Sequence, residues 1–239
     1  KRNIMNLWWK TFIEDRDDML GLDSAILMNP RVWEASGHVA NFADPLMDCK
    51  KCQERVRGDK ILEEHFKTTI AGLSNDEIYT RIMDAKILCP KCGKVEWTQP
   101  RAFNLMFKTY QGVIEDTAEQ IYLRPETAQG IFVNFKNILD SMRVRLPFGV
   151  GQYGKSFRNE ITPGSFIFRT REFEQMEIEY FVRPDEAEKY FDQWVEDFKA
   201  FFVALGIPSE QLRLRYHEKD ELSHYSSKTV DFCFQAFDS

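Results

Sequence analysis

The stretch that decides the fold lies at residues 151–180 and reads GQYGKSFRNEITPGSFIFRTREFEQMEIEY. Polar and apolar residues alternate on both sides of residues 162–165, whose sequence TPGS is typical of a turn. Because successive side chains of a strand point to opposite faces, this pattern predicts two antiparallel strands joined as a hairpin. On one face of the second strand we expect Arg169, Arg171, Phe173, Gln175 and Glu177.

The polar groups of this hairpin have the chemistry of a site for a nucleotide and an amine. Arg158 and Arg169 lie on either side of the turn, where guanidinium groups are suited to hold a polyphosphate. Phe173 offers a ring that stacks on a base, and Glu160 and Glu177 offer carboxylates to amino groups. A solvated strand with alternating charges gives the same pattern, so the hairpin alone leaves both interpretations open.

The segments at the two ends of the chain indicate a mixture of helices and strands. Apolar residues recur at helical spacing over residues 4–20 and over residues 185–205, which predicts an amphipathic helix at each position. A short apolar run at residues 23–28 predicts a strand, and Pro30 prevents that strand from pairing further.

The central part of the chain continues this alternation. Ser74 is a helix cap, and Glu77 three residues later is its partner in a capping box. Residues 101–124 read as strand segments. A helix is expected to open with Pro125-Glu126-Thr127, because proline suits the first turn.

The composition is that of a folded protein. Of its 239 residues, 43% are hydrophobic and 14% are aromatic, so the chain is able to bury a sizeable core. No apolar stretch approaches the roughly 18 residues that a membrane helix needs. The net charge of -6 leaves any RNA contact to local patches of Lys and Arg. The chain opens at Lys1 without a signal-peptide pattern, and we expect it to be part of a longer, cytosolic protein.

The cysteines indicate a metal site. Four of the five form two Cys-x-x-Cys pairs, Cys49 with Cys52 and Cys89 with Cys92. Four thiolates at this spacing predict a closed structural Zn²⁺ site, and four ordinary free cysteines are the alternative. The composition shifts to charged residues over residues 48–95, which predicts an inserted, zinc-ribbon-like module.

Several strings in the sequence resemble the class II aminoacyl-tRNA synthetases. Residues 156–161 (SFRNEI), followed by Arg169-x-x-x-Phe173 and Glu177, resemble motif 2 of that class, and the first helix, strand and Pro30 match its motif 1. Three further strings resemble the glycine-specific branch, the glycyl-tRNA synthetases: residues 122–130 (YLRPETAQG), 146–148 (LPF) and 36–39 (SGHV). The resemblance covers nearly the whole chain.

The resemblance implies an α+β fold in which an antiparallel β-sheet of six or seven strands is flanked by helices. Residues 1–47 would hold the motif 1 helix and strand, and residues 48–95 the inserted module. Residues 96–239 would hold the motif 2 hairpin and the helical segment after it. We expect motif 3 and an anticodon-binding domain to be absent from this sequence.

For ATP, the resemblance implies one role for each of four residues. Arg158 would bind the α-phosphate and also the glycine carboxylate, and Arg169 would hold the γ-phosphate. Glu160 would accept a hydrogen bond from the adenine amino group, and Phe173 would stack under the adenine ring. Arg158, Glu160 and Arg169 are therefore the expected catalytic residues, with ATP bound as its Mg²⁺ complex.

For the amino acid, the resemblance implies that Glu126 and Glu177 face the ammonium group of glycine. A helix-start acid, with Arg124 in a supporting salt bridge, is the alternative interpretation of Glu126. A crowded pocket lined by carboxylates excludes every larger side chain by clash, so selection of glycine needs no editing site.

The implied activity is that of an AMP-forming glycine–tRNA ligase. The glycine carboxylate attacks the α-phosphate, pyrophosphate leaves, and the adenylate then passes glycine to the 3' end of tRNA(Gly). Charge stabilisation contributes more to such a reaction than acid–base chemistry. The implied partners are tRNA(Gly), glycine, ATP and a second subunit that joins through motif 1, in the cytoplasm and without a membrane or DNA.

Two other interpretations compete with this one. A non-catalytic relative would keep the scaffold and lose the ATP residues, which this sequence retains. A zinc-ribbon binding module is supported only by a basic run that we interpret as a solvated face: Lys50, Lys51, Arg55, Arg57 and Lys60. No chemical role is assigned to His38, His217 or His224.

Overall fold

The computed structural model of the chain divides into two compact units. The described residues are 1–68, 70, 72–113, 120–164, 166–219, 221–223 and 225–234. The first unit comprises residues 1–22, 136–151 and 178–239, and the second comprises residues 23–135 and 152–177.

Helices and short strands alternate along the described residues. The helices are α1 (Arg2–Trp9), α2 (Pro30–Ala35), α3 (His38–Asn41), α4 (Gly58–Phe66), α5 (Asn75–Asp84), α6 (Ala128–Met142) and α7 (Ala187–Ala204). The strands are β1 (Met19–Gly21), β2 (Leu27–Met28), β3 (Ala43–Asp48), β4 (Arg55–Arg57), β5 (Arg101–Asn104), β6 (Lys108–Tyr110), β7 (Gln120–Leu123), β8 (Phe148–Phe157), β9 (Glu172–Phe181), β10 (Leu212–Tyr216) and β11 (Val230–Phe234).

An aromatic core holds the first unit together. A π-helical stretch, Lys10–Glu14, continues α1 and places Phe12 within 4.9 Å of the Phe198 ring and 5.1 Å of the Phe201 ring, both on α7. Trp8 and Met19 join this cluster, and each is at most 5% exposed. The amphipathic helix predicted at residues 185–205 is therefore confirmed, and its apolar face is the one that packs.

The helix predicted over residues 4–20 is wrong beyond residue 14. Leu20 lies in β1, which pairs in parallel with β8 at Val150. An acidic turn separates helix from strand, and within it the guanidinium of Arg16 donates hydrogen bonds to Asp18 and Asp197. These contacts fix the turn, so the apolar spacing after it belongs to a strand.

Two small antiparallel sheets form the frame of the second unit. One has the order β4-β3-β5 and the other the order β2-β7-β6. The first sheet packs with α4 and α5 around a core that includes Met47, Leu62, Ile82 and Trp97, none more than 1% exposed. The capping box predicted for α5 is confirmed: Ser74 and Glu77 exchange hydrogen bonds at its start.

The described strands do not form the single antiparallel sheet of six or seven strands that the resemblance implied. They make four sheets of two or three strands, the other two having the orders β1-β8-β9 and β10-β11. The pairing of β1 with β8 is parallel, and the long connection that parallel strands require is the chain from residue 22 to residue 147. The combination of helices with mainly antiparallel strands agrees with the predicted α+β class.

Two boundaries near the hairpin differ from the prediction. The strands β8 and β9 stop short of the turn, so Arg158, Glu160 and Arg169 lie in the connection between them and not on strand faces. Ser165 of the predicted turn lies outside the described residues. Helix α6 begins at Ala128, three residues after Pro125. Strands predicted at residues 101–124 are present as β5, β6 and β7, while residues 114–119 lie outside the described part.

Among the described residues, no helix is long and apolar enough to cross a bilayer.

Candidate active site

Four residues expected to hold ATP line one cavity in the second unit. The cavity has a volume of about 540 Å³, which is within the usual range for small-molecule sites. Arg158, Glu160, Arg169 and Phe173 all contribute to its wall. The hairpin therefore brings the two ends of the connection between β8 and β9 to the same cavity.

Arg158 lies between two aromatic rings of this cavity. Its guanidinium carbon is 5.2 Å from the centre of the Phe173 ring and 5.3 Å from that of Phe42, within cation–π range. The Nε atom donates a hydrogen bond to the backbone oxygen of Pro125 at 3.1 Å. The side chain is thus fixed at the junction of the hairpin and the segment before α6.

Glu160 and Arg169 face each other across the connection. The Oε2 atom of Glu160 is 3.9 Å from Nε of Arg169. Arg171 donates from Nε to the backbone oxygen of Glu160 at 3.1 Å, and the backbone nitrogen of Gly164 donates to the backbone oxygen of Arg169 at 2.8 Å. These bonds fold the connection back on itself and keep both charged groups at the cavity.

Glu126 has a partner that the sequence did not suggest. The Nε2 atom of His38 lies 3.5 Å from Oε1 of Glu126, and the other ring nitrogen of His38 is 2.8 Å from Oγ of Ser36. His38 is the largest cause that lowers the pKa of the Glu126 carboxyl. The rings of Trp33 and Phe42 pack edge-on against the imidazole and hold it in place.

Glu177 lies in a different electrostatic environment. Burial raises the pKa of its carboxyl, and the negative charge of Glu126 raises it further. Thr127 donates a hydrogen bond from Oγ1 to Oε2 of Glu177. The positive charge of Arg158 acts on both carboxyl groups, so the two acids and Arg158 form one electrostatic group.

A buried polar network supports Thr127. Gln152, which is 1% exposed, donates from Nε2 to the backbone oxygen of Thr127 and accepts from Oγ of Ser24 at 2.9 Å. At Gly130 an added Cβ would lie 2.0 Å from that Oγ, so only glycine fits there. The sequence pattern of β8 did not predict this role for Gln152. Alternating polarity indicates which face of the strand a side chain lies on, but not which residue it binds.

Arg124 does not form the salt bridge that the alternative interpretation required. Its guanidinium donates to the backbone oxygens of Lys155 at 2.7 Å and Ser24 at 2.9 Å, and burial lowers its pKa. None of the ion pairs in the described part of the chain joins it to Glu126. Arg124 therefore ties β7 to β8 through backbone contacts.

His217, in the last segment, is not among the described residues that line this cavity. His217 pairs with Asp231 at 2.9 Å in the first unit. His224 lies outside the described residues.

The hairpin of β3 and β4, together with the residue just before it, supplies three cavity residues that the sequence analysis did not assign to the site. They are Phe42, Asp44 and Arg57. The interpretation of the basic run as a solvated face is wrong for Arg57, whose side chain is 25% exposed and forms ion pairs with Asp44 at 2.9 Å and Asp59 at 2.6 Å. It is correct for the exposed members of the run: Lys50, Lys51, Arg55 and Lys60.

The four paired cysteines converge at one point of the second unit. Their sulfur atoms all lie within 4.8 Å of one another, and the Cys49–Cys92 and Cys52–Cys89 sulfur distances are both 3.6 Å. Four sulfurs bound to Zn²⁺ at about 2.3 Å in a tetrahedron are separated by about 3.8 Å. The geometry therefore fits a tetrahedral thiolate site.

The local backbone and charge also fit a divalent cation. Gln53 donates to the oxygen of Cys49 at 2.8 Å and Gly93 to that of Cys89 at 2.9 Å, so both pairs form the same tight turn. The backbone nitrogen of Cys52 is the main cause that lowers the pKa of Cys49 to about 7. The backbone of Glu54 likewise acts to lower the pKa of Cys52. Burial and the neighbouring thiols outweigh it and raise the pKa of Cys52 to about 12. A second thiolate is thus disfavoured unless a cation offsets its charge.

Known proteins that are similar to this chain are described as tRNA synthetases or tRNA ligases. Residues 107–238, more than half of the chain, match the family described as the tRNA synthetase class II core domain (G, H, P, S and T). The glycine–tRNA ligase of Alkaliphilus oremlandii is 55% identical over 97% of this chain and 51% of its own length. That of Ureaplasma urealyticum is 57% identical over 97% of this chain and 50% of its own length, and that of Geobacillus thermodenitrificans is 54% identical over 98% and 52%.

This chain spans about half the length of the curated relatives it matches. A solved structure, that of prolyl-tRNA synthetase from Cryptosporidium parvum complexed with halofuginone and AMPPNP, matches 97% of this chain and 33% of its own with a TM-score of 0.56. The sequence identity is 14%, so this likeness concerns the fold alone.

Proposed function

Because this chain belongs to the class II tRNA synthetase core family, we propose that it forms part of a glycine–tRNA ligase, which activates glycine with ATP and transfers it to tRNA(Gly). The observation that carries this proposal is the convergence of Arg158, Glu160, Arg169 and Phe173 on one cavity. The curated relatives named above support the choice of glycine.

The adenylate-forming step relies on charges that the fold has already placed. Arg158 is held by Pro125 between two rings, so its guanidinium is available to neutralise charge on the α-phosphate as the glycine carboxylate attacks. Arg169 binds the far end of the polyphosphate, and pyrophosphate leaves. Mg²⁺, bound with ATP, offsets further phosphate charge.

Base recognition uses the remaining pair of residues. Phe173 stacks under the adenine ring, and Arg158, held beside Phe173, contacts the phosphates. Glu160 accepts a hydrogen bond from the adenine amino group, and Arg169 at 3.9 Å stabilises its negative charge.

Glycine is selected by charge and by lack of room. Glu126, kept ionised by His38, attracts the ammonium group, and Glu177 completes the pair. Glu177 is anchored by Thr127, which is in turn fixed by Gln152, so the pocket is unable to widen for a larger side chain. A pocket built for a larger side chain discriminates against a smaller one by only about 1 to 3 kcal/mol per missing methylene. A pocket that fits only glycine excludes larger side chains by clash, so this limit does not apply.

The four cysteines are proposed to bind one structural Zn²⁺. Cys49 and Cys89 are buried, and the cluster borders the core of Ile61, Leu62 and Ile82, so the cation would stabilise the module and take no part in the chemistry. The same proposal divides the chain into residues 1–47, 48–95 and 96–239. It also includes a homodimer that forms through motif 1 and a cytoplasmic location.

Glycine-dependent exchange of pyrophosphate into ATP tests the proposed function. The full-length protein that carries this chain is expected to catalyse exchange with glycine and not with alanine or serine, and to charge tRNA(Gly). Alanine or serine is the matched control because each adds one small substituent. Equal exchange with all three amino acids, or none with glycine, would contradict the proposal.

A further inference from the structure

The hairpin that carries the first cysteine pair also reaches the nucleotide cavity. Its strands pair in register, with Leu46 opposite Arg57 and Asp48 opposite Arg55. At one end, the backbone nitrogen of Cys49 donates to Glu54 at 2.8 Å and closes the turn that bears Cys49 and Cys52. At the other end, Asp44 and Arg57 line the cavity.

Arg57 is committed to carboxylates and is not a free phosphate ligand. Its guanidinium binds both oxygens of Asp59, at 3.2 Å and 2.6 Å, and lies 2.9 Å from Oδ2 of Asp44. Its positive charge also interacts with Glu160. Two neighbouring carboxylates already offset its single charge, so its role is to position them.

Asp44 has a carboxyl group whose hydrogen-bonding capacity is not met. It is 8% exposed, and in the described part of the chain its Oδ2 atom has the Arg57 ion pair but no aligned hydrogen-bond donor. Burial raises its pKa, and the charges of Asp59 and Glu160 act in the same direction. Such a group at a cavity wall favours a ligand that donates a hydrogen bond.

We propose that Asp44 is a second acceptor for the amino group of the adenine ring beside Glu160, and that Arg57 positions it. The inference rests on the proposed function, since it assigns a further specificity residue to the same nucleotide. An exocyclic amino group has two hydrogens, so two carboxylates satisfy both. A purine with a carbonyl oxygen at that position would face two acceptors and be repelled.

ATP and inosine triphosphate distinguish this role from a structural one, because they differ at the purine ring mainly by the amino group that becomes a carbonyl. Both affinities would be measured by calorimetry in the full-length protein. Asp44→Asn keeps the shape of the side chain and supplies an amide donor. We expect the ratio of ATP affinity to inosine triphosphate affinity to fall by about tenfold in this variant.

Asp48→Asn is the matched control. Asp48 lies on the same strand and pairs with Arg55 of the same partner strand at 2.9 Å, but it does not line the cavity. Arg57→Lys and Arg55→Lys form a second pair, since lysine keeps the charge but loses the fork that holds two carboxylates. Arg57→Lys is expected to lower the same ratio, and Arg55→Lys is expected to leave it unchanged.

Different results would contradict the proposed function and the role of Asp44. An unsubstituted protein that neither binds ATP nor supports glycine-dependent exchange contradicts the proposed function. If it does both, and the affinity ratio of folded Asp44→Asn or Arg57→Lys equals that of its control, the role of Asp44 in base recognition is wrong. The ratio is insensitive to the fraction of folded protein, so a loss of stability alone does not imitate the expected result.

Discussion

Glu126 and Glu177 are close enough for the charge of one to raise the pKa of the other, yet their own surroundings move their pKa values in opposite directions. His38 lowers the pKa of Glu126, while burial raises that of Glu177. Pairs of acids whose pKa values are shifted in opposite directions are typical of functional sites. Holding the two carboxylates together without a cation is electrostatically unfavourable. The bound ammonium group of glycine would offset that cost.

Replacing Glu177 by Gln should weaken glycine binding selectively. The substitution keeps the acceptor for Thr127 and removes one negative charge, so glycine affinity is expected to fall by about tenfold while ATP affinity changes little. Calorimetric titration of both ligands measures this. Loss of ATP affinity to a similar extent would mean that Glu177 supports β9 and not the substrate.

The same substitution should affect stability in a pH-dependent way. A carboxyl whose pKa is raised above its ordinary value of 4.5 favours folding below that value, and its contribution is lost as the pH rises through the raised pKa. Glu177→Gln does not ionise. Without glycine, the variant is therefore expected to gain thermal stability relative to the unsubstituted protein between pH 4.5 and neutrality. Parallel melting temperatures over that range would contradict the assignment.

Replacing Arg158 by Ala should reduce glycine-dependent exchange by on the order of 100-fold or more, because one charge-assisted contact in the transition state is commonly worth a few kcal/mol. Substrate binding should suffer less than turnover. Arg183→Ala is a suitable control, since Arg183 is 71% exposed and its ion pair with Asp185, at 3.8 Å, is loose. Near-normal exchange in Arg158→Ala would remove this residue from the catalytic role.

Removal of the His38 imidazole should weaken glycine binding through Glu126. His38→Ala deletes the group that lowers the pKa of Glu126, so the Michaelis constant for glycine is expected to rise by several-fold at unchanged turnover. His38→Gln retains a donor and should restore part of the affinity. His65→Ala is the control, because His65 lies on α4 and does not line the cavity. A fall in turnover alone would assign His38 a different role.

Metal analysis of protein purified without chelator should give about one zinc per chain. Cys49→Ser and Cys92→Ser are expected to abolish binding, since each removes one of four ligands. Cys233→Ser is the matched control, because this cysteine is exposed and lies outside the cluster. Four titratable thiols in a metal-free native protein would reject the site.

Local patterns predicted much of the candidate site. The string around Arg158 and Glu160, each Cys-x-x-Cys pair and the capping box of α5 involve residues close in sequence. In the structure, Arg158 and Glu160 line one cavity, the four sulfur atoms lie within 4.8 Å of one another, and the capping box is confirmed. The patterns did not give Arg124 its partners, because the backbone oxygens that it binds belong to β8 and to Ser24, far from it in sequence.

The sequence by itself determined which chemical groups this protein has and which family it resembles, because motif spacing and hydrophobic periodicity are properties of short segments. Tertiary structure alone decided which distant groups meet: Asp44 and Arg57 with Glu160, His38 with Glu126, and β1 in parallel with β8. It also decided the opposite pKa shifts of Glu126 and Glu177. Burial and the distance between charges depend on packing across the whole unit, and no local pattern records them.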